Sequence, residues 1–156
     1  DSNPTVIGWR SLQDETRAMA DDPDPFHHDS RRFEVATSCV PLMAGLRCSL
    51  DLLEQEGSDD ERLGQIHILS EQLWRKLQSI PGVSPLLDGP PPAGLVSFQM
   101  HPEATGATPA EVVKALGGQQ LWIRDLADPI CLRACTHICT TSNELSTLTD
   151  AINRIR

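Results

Sequence analysis

The sequence predicts an α+β domain in which helices cover one face of a small, mainly antiparallel sheet. Apolar residues recur every three or four positions in four segments, which is typical of amphipathic helices. Four shorter segments are apolar or alternating and are bounded by Pro, Gly or Asp, which is typical of strands. The predicted order is two helices, two strands, a helix, two strands and a helix. Because this order lacks a regular strand–helix alternation, it favours the α+β class.

Four helices are predicted. The first begins at Val40, and its apolar residues continue to Leu53 before Gly57 ends the pattern. Each of the other three begins at a capping box, in which a hydroxyl and a carboxylate satisfy free amides of the first turn. These boxes are Ser58–Glu61, Thr108–Glu111 and Thr141–Glu144.

Four strands are predicted between and after these helices. Proline and glycine clusters separate the first two strands, and the residues 125–129 form the turn between the last two. The predicted strands are Val83 to Leu87, Gly94 to Met100, Leu121 to Arg124, and Cys131 to Ile138.

The N-terminal part has a different character. Three prolines and an acidic, histidine-containing run at 21–29 disfavour regular structure and burial. We therefore expect 1–37 to be an irregular segment and 38–156 to form the folded domain.

Composition excludes several classes of function. The chain has 156 residues, of which 13 are basic and 22 acidic, and its net charge of -9 disfavours nucleic acid as a partner. Its apolar runs are shorter than the roughly 20 residues that cross a bilayer, so no membrane association is expected. The start lacks signal-peptide features and the cysteines number five, which favours a reducing, cytoplasmic location with free thiols.

Arg124 and Arg133 form the first candidate site. They lie on consecutive predicted strands across a short turn, where both guanidinium groups could converge on one small anion. A planar guanidinium matches a carboxylate better than an ammonium group does. The alternative is that each arginine is solvated or pairs with one of the many acids.

Three other patterns are weaker. Alternate residues from Cys131 to Cys139 would share one strand face with Arg133, but their spacing matches neither zinc nor iron–sulfur motifs, and strand cysteines are commonly small buried hydrophobes. His27 and His28 are adjacent and cannot easily aim at one ion, so that run is expected to be solvated. No metal site is predicted. Thr37, before the first helix, is expected to cap it, or else to contact a phosphate.

A set of short motifs together resembles a known family. In chain order they are Gly8-Trp9-Arg10-Ser11, Arg32-Phe33-Glu34-x-x-Thr37, Ile80-Pro81-Gly82-Val83, the strand with Arg124, and Arg133 followed by Thr141-x-x-Glu144-Leu145. The chain resembles the C-terminal part of class V aminotransferase-like proteins, which are fold-type I pyridoxal 5'-phosphate (PLP) enzymes. Within that family it is most similar to the branch of cysteine desulfurases, cystine carbon–sulfur lyases and isopenicillin N epimerase-like proteins.

The resemblance implies roles for three residues. Arg133 matches the arginine that clamps the substrate α-carboxylate, and Arg124 matches one that serves the second carboxylate of a cystine-like substrate. Thr37 matches a hydroxyl that reaches the cofactor phosphate of the neighbouring subunit in a homodimer.

The resemblance also implies that the chain is a fragment. Its two lysines, Lys76 and Lys114, lie in predicted helices, and neither matches the family's Schiff-base lysine. We therefore expect 38–156 to be the small C-terminal domain and 1–37 to continue from a missing large domain that binds most of the PLP. No catalytic residue is expected in this chain.

One departure bears on the reaction. Cysteine desulfurases carry a nucleophilic cysteine shortly after the strand of Arg124, whereas residues 125–130 contain none here. This favours a carbon–sulfur lyase acting on cystine or cysteine. A cysteine desulfurase, with an iron–sulfur assembly protein as acceptor, and a class V aminotransferase or epimerase remain alternatives. A non-catalytic dimerisation module is the alternative of another class.

Overall fold

The computed structural model describes residues 4–14 and 23–155. Residues 21 and 22 of the acidic, histidine-containing run lie outside the described part. The contacts within the chain divide it into two units, Asp1–Leu52 and Leu53–Arg156. The expected continuation of 1–37 from a large domain stays a prediction.

The first unit is held together by short polar contacts. Its described residues before Val40 contain two 3-10 turns, Trp9–Ser11 and Ser30–Phe33. The Ser11 hydroxyl accepts a hydrogen bond from the Gly8 amide (3.2 Å) and donates one to the Glu34 carbonyl (2.8 Å). A Cβ atom at Gly8 would lie 1.7 Å from the Val35 carbonyl oxygen. Only glycine therefore allows the two turns to approach this closely.

Helix α1, Val40–Gln55, has the predicted position, but none of its residues is buried. Leu42 is 71% exposed and Leu46 is 56% exposed. Within the described residues, the main apolar core begins with the next helix.

The second unit contains the remaining elements. The helices are α2 (Asp59–Gln78), α3 (Pro102–Thr105), α4 (Pro109–Gly117) and α5 (Ser142–Arg154), and the strands are β1 (Val83–Pro85), β2 (Leu95–Met100), β3 (Arg124–Ala127) and β4 (Ile130–Cys135). The strands form one sheet in the order β1-β2-β4-β3, and every neighbouring pair is antiparallel. The predicted α+β class is confirmed.

One apolar core joins the sheet to its helices. The alternate residues of β2 and β4 that face this core pack against side chains of α2, α4 and α5. Because both strands bury only these alternate side chains in that core, the helices lie on one face of the sheet. The main contributors are Val96, Phe98, Leu132, Ala134, Leu73, Leu77, Leu116 and Ile152.

All three predicted capping boxes are confirmed. Ser58, Thr108 and Thr141 each accept a hydrogen bond from the backbone amide three residues later, and the glutamate at that position accepts one from the cap's own amide. The first helical turns are thereby satisfied without tertiary partners.

Several predicted strand boundaries are wrong, and β1, for example, ends at Pro85 rather than at Leu87. Strand β3 begins at Arg124 rather than ending there, and the turn is reduced to Asp128 and Pro129. The alternation of Leu121 and Ile123 resembled a strand because both pack against the core from an irregular segment. Strand β4 ends at Cys135 rather than Ile138, because a turn closed by the Thr140 amide and the His137 carbonyl (2.9 Å) follows it.

The one-turn helix α3 was not predicted. It begins at Pro102, and Gly106, with φ of 63°, ends it. Among the described residues, no helix is both long enough and apolar enough to span a membrane.

The capping boxes predict a dependence of stability on pH. Hydrogen bonds from the cap residue's backbone amide and hydroxyl lower the pKa of Glu61, Glu111 and Glu144 below the ordinary 4.5. Because the folded-state pKa is depressed, this stabilisation is present above pH 4.5 and is lost as the pH falls through the folded-state values. Urea unfolding midpoints measured across this range should therefore decline with acidity.

Glu144→Gln provides the control for this effect. The amide keeps an acceptor for the Thr141 amide but does not titrate, so its decline with acidity should be shallower. An unchanged decline would contradict the role of this carboxylate.

Candidate anion-binding site

Two arginines lie directly opposite each other in the sheet. Arg124 of β3 pairs with Arg133 of β4, and Arg133 pairs on its other side with Ser97 of β2. Residues directly opposite on antiparallel strands share a face, with Cβ atoms about 4.5–5.5 Å apart. Leu132 and Ala134, which flank Arg133, lie in the core. The three residues therefore form a row on the face away from the helices, which we call the arginine row.

A hydrogen bond fixes one of the two guanidinium groups. Arg133 is half-buried, and its Nε donates to the Ser97 hydroxyl at 3.1 Å. This contact restricts the side chain while leaving both terminal nitrogens available. Arg124 is exposed.

Among the described residues, neither arginine of the row has an acidic partner. Within residues 4–14 and 23–155, ion pairs join other residues, such as Arg10 with Glu34 and Arg75 with Glu71. Pairing with a local acid, one of the two explanations that the sequence left open, is therefore not seen for Arg124 or Arg133.

This arrangement is suited to an anion. Like charges directly opposite on neighbouring strands destabilise a sheet, and cross-strand pairs contribute roughly 0.2–1 kcal/mol. An anion between the guanidinium groups would remove that repulsion and accept charge-assisted hydrogen bonds from both. A carboxylate matches the planar fork of donors.

Sequence reasoning missed Ser97. The signal was present, because Ser97 is a small polar residue between two apolar ones, Val96 and Phe98, on a predicted strand. Its pairing with Arg133 depended on the register between β2 and β4, which local patterns do not determine.

The prediction that alternate residues from Cys131 to Cys139 share one strand face is correct only in part. Cys135 lies on β4 two residues from Arg133, and Cys131 is buried, as expected for a small apolar residue. His137 and Cys139 lie in the turn after the strand, so the prediction that they share its face is wrong. Across the described ranges, no group of three or more His, Cys, Asp or Glu residues is arranged to hold a metal ion.

The remaining candidates lie in the first unit. His28 is exposed, and its Nδ1 lies 3.8 Å from a carboxylate oxygen of Asp24. Thr37 is exposed, and its hydroxyl forms no hydrogen bond with the described residues. The expected capping of α1 by Thr37 is therefore not observed, and its role toward a phosphate stays a prediction.

The two lysines lie away from the arginine row. Lys76 is on α2 and Lys114 is on α4, and both helices pack on the opposite face of the sheet. Lys114 is exposed and Lys76 is half-buried. Neither is placed to act together with the arginine row.

The chain shares its fold with solved structures of known enzymes. No family model and no curated protein sequence matches the chain. A solved structure of the cystine C-S lyase C-DES, in complex with its reaction product cysteine persulfide, is 38% identical with a TM-score of 0.82. The match covers 97% of this chain and 38% of C-DES.

Two cysteine desulfurases share the fold at lower identity. The enzyme from Thermococcus onnurineus is 21% identical with a TM-score of 0.73, and the match covers 97% of this chain and 39% of that one. CsdA from Escherichia coli is 18% identical with a TM-score of 0.75, and the match covers 98% and 38%. The chain thus spans about two fifths of the length of each of these enzymes.

The arginine row predicts an unusual response to salt. Replacing Arg124 with Gln removes the repulsion across β3 and β4, so the free energy of unfolding at low ionic strength should rise by about 0.2–1 kcal/mol. Added salt should shrink this gain because it screens the charges. Urea titrations at low and high salt measure both effects.

Lys114→Gln is the matched control, because it removes one positive charge from the opposite face. It should give no such gain at low salt, since Lys114 lies near the C-terminus of α4 where a positive charge is favourable. A loss of stability in Arg124→Gln at low salt would contradict the proposed repulsion.

Proposed function

We propose that this chain, which has the fold of part of a class V aminotransferase-like enzyme, supplies substrate-carboxylate binding to a PLP-dependent carbon–sulfur lyase. The substrate class is cystine or cysteine. The observation that carries this proposal is the cross-strand pairing of Arg124 with Arg133 without an acidic partner among the described residues. The 38% identity to C-DES, whose reaction product is cysteine persulfide, supports the choice of substrate.

The residues of this chain do not by themselves fit PLP. Attachment of the cofactor requires a lysine close to the substrate, and Lys76 and Lys114 are on helices that pack against the far face of the sheet. In this proposal, most of the PLP is bound by polypeptide outside this chain. Thr37 is the one residue proposed to reach it, through the phosphate of PLP in the neighbouring subunit of a homodimer.

The two arginines have separate roles in this proposal. Arg133, oriented by Ser97, holds the α-carboxylate of the substrate. Arg124, which is exposed beside it, takes the second carboxylate of a cystine-like substrate. Fixing both carboxylates of the substrate orients its other bonds, so that binding energy is converted into positioning.

The hairpin between the arginines favours a lyase over a desulfurase. Only Asp128 and Pro129 separate β3 from β4, and this connection contains no cysteine. A thiol carried on a mobile loop at this place, which persulfide transfer in desulfurases would use, is absent from the sequence. Aminotransferase or epimerase chemistry has no observation in its favour here.

A second candidate is a non-catalytic association module. The apolar residues of α1 are exposed to solvent, with Val40 at 70% and Met43 at 58%. Exposed apolar patches of this kind mark protein–protein interaction sites. Coding sequence upstream of Asp1 discriminates between the two candidates. A lysine-bearing large domain there would support the enzyme, and its absence would support the association module.

The enzyme proposal predicts the effect of Arg133→Ala in the full-length parent. Hydrogen bonds to a charged group contribute about 1.5–3 kcal/mol, so KM for cystine should rise roughly ten- to a hundredfold. Arg133→Lys should restore only part of this loss, because an ammonium group lacks the planar fork. Initial-rate kinetics over a range of cystine concentrations measure the effect.

Lys114→Ala on the opposite face provides the control and should leave KM unchanged. If Arg133→Ala had the KM of the parent enzyme, the assignment of the carboxylate to Arg133 would be wrong.

A further inference from the structure

A cavity that the arginine row does not line opens where strands β2 and β4 stop pairing. Their last paired residues at this end are Phe98 and Leu132. The cavity has a volume of about 390 Å³, and its walls include Met100, Ala107, Val112 and Cys131. We call this space the end cavity. Its volume lies in the range of roughly 300–1,000 Å³ that is typical of sites for small molecules.

The segment that joins β2 to α4 closes the end cavity. Helix α3 ends at Gly106, which has a φ of 63°, and Gly106 and Ala107 form part of the wall. Val112 of α4 belongs to the buried core, and Ala107 packs against that core. The walls are therefore mainly apolar, and a cavity of this character accepts small apolar molecules.

Gln99 brings a hydrogen-bond acceptor to the end cavity. This residue contributes to the wall, and its Nε2 donates to the Ile130 carbonyl at 2.8 Å. Because a carbonyl only accepts hydrogen bonds, the nitrogen of the amide must face Ile130, which leaves Oε1 for another donor. Among the described residues, none donates to Gln99 Oε1. The end cavity therefore combines apolar walls with one available acceptor.

Two other polar side chains of the wall already have partners. His101 Nε2 lies 2.9 Å from Ser84 Oγ. The Thr108 hydroxyl donates to the Glu111 carboxylate at 2.8 Å, within the capping box of α4. A donor on a bound molecule is therefore matched best by the amide oxygen of Gln99.

We propose that the end cavity binds a small, mostly apolar molecule that carries one hydrogen-bond donor, such as a phenol. The apolar body packs against Met100 and Val112, and the donor bonds to Gln99 Oε1. A molecule without the donor leaves that oxygen desolvated and unpaired, which weakens its binding. The proposal involves neither PLP nor the arginine row, so it is independent of the proposed function.

NMR titration of the 156-residue chain with 4-methylphenol and with toluene tests this proposal, because the two molecules differ only in the hydroxyl. Both should shift the methyl resonances of Met100 and Val112 in a saturable way. 4-Methylphenol should bind roughly two- to tenfold more tightly, which corresponds to one net hydrogen bond. Equal affinities would overturn the proposed class of ligand.

Gln99→Met tests the acceptor, because it removes the amide while keeping a side chain of similar length. This variant should bind both molecules with the same affinity. Gln119→Met is the matched control, since Gln119 is exposed and does not line the cavity. It should retain the preference for 4-methylphenol.

Ala107→Leu tests the location, because the larger side chain fills the end cavity. Saturable binding of both molecules should be lost. Ala110→Leu adds the same groups to an exposed position of α4 that does not line the cavity, so it should change neither affinity. Unchanged binding in Ala107→Leu would overturn the proposal.

Cys131 reports on occupancy without any substitution. It lines the end cavity and is only 1% exposed. Saturating 4-methylphenol should slow the modification of Cys131 by N-ethylmaleimide and leave that of Cys48, an exposed thiol on α1, unchanged. A Cys131 rate that does not respond, or the absence of saturable shifts at Met100 and Val112, would overturn the proposal.

Discussion

Two arginines that lie directly opposite each other on neighbouring strands, without an acidic partner among the described residues, are the constraint on which the site depends. A sheet gains nothing from such a pair by itself, since like charges directly opposite weaken it. We propose that an anion in the working protein offsets the repulsion between Arg124 and Arg133. The hydrogen bond from Arg133 to Ser97 extends this constraint to a third strand.

The fold maintains the pair through register. A slip of one residue between β3 and β4 would move every side chain of the slipped strand to the other face and would direct its arginine toward the core. The two-residue connection at Asp128 and Pro129 and the burial of Leu132 and Ala134 oppose such a slip.

Sequence reasoning succeeded where the interactions are local. A capping box such as Thr141–Glu144 is complete within four residues, so its spacing was sufficient to predict the start of α5. It failed where the interactions are distant in sequence. The start of β3 depended on pairing with β4, and the partnership of Ser97 with Arg133 joins residues 36 positions apart. The exposure of α1 was also unpredictable, because an apolar stripe indicates that a helix is to be covered but not by which polypeptide.

The central proposal is that Arg133 and Arg124 bind the two carboxylates of a cystine-like substrate, and NMR of their guanidinium Nε–H groups tests it most directly. Titration with cystine should shift both resonances in a saturable way. Cystamine, which has the same disulfide and amines but no carboxylates, should shift neither. Resonances that stay fixed with cystine, or that move equally with cystamine, would contradict the account.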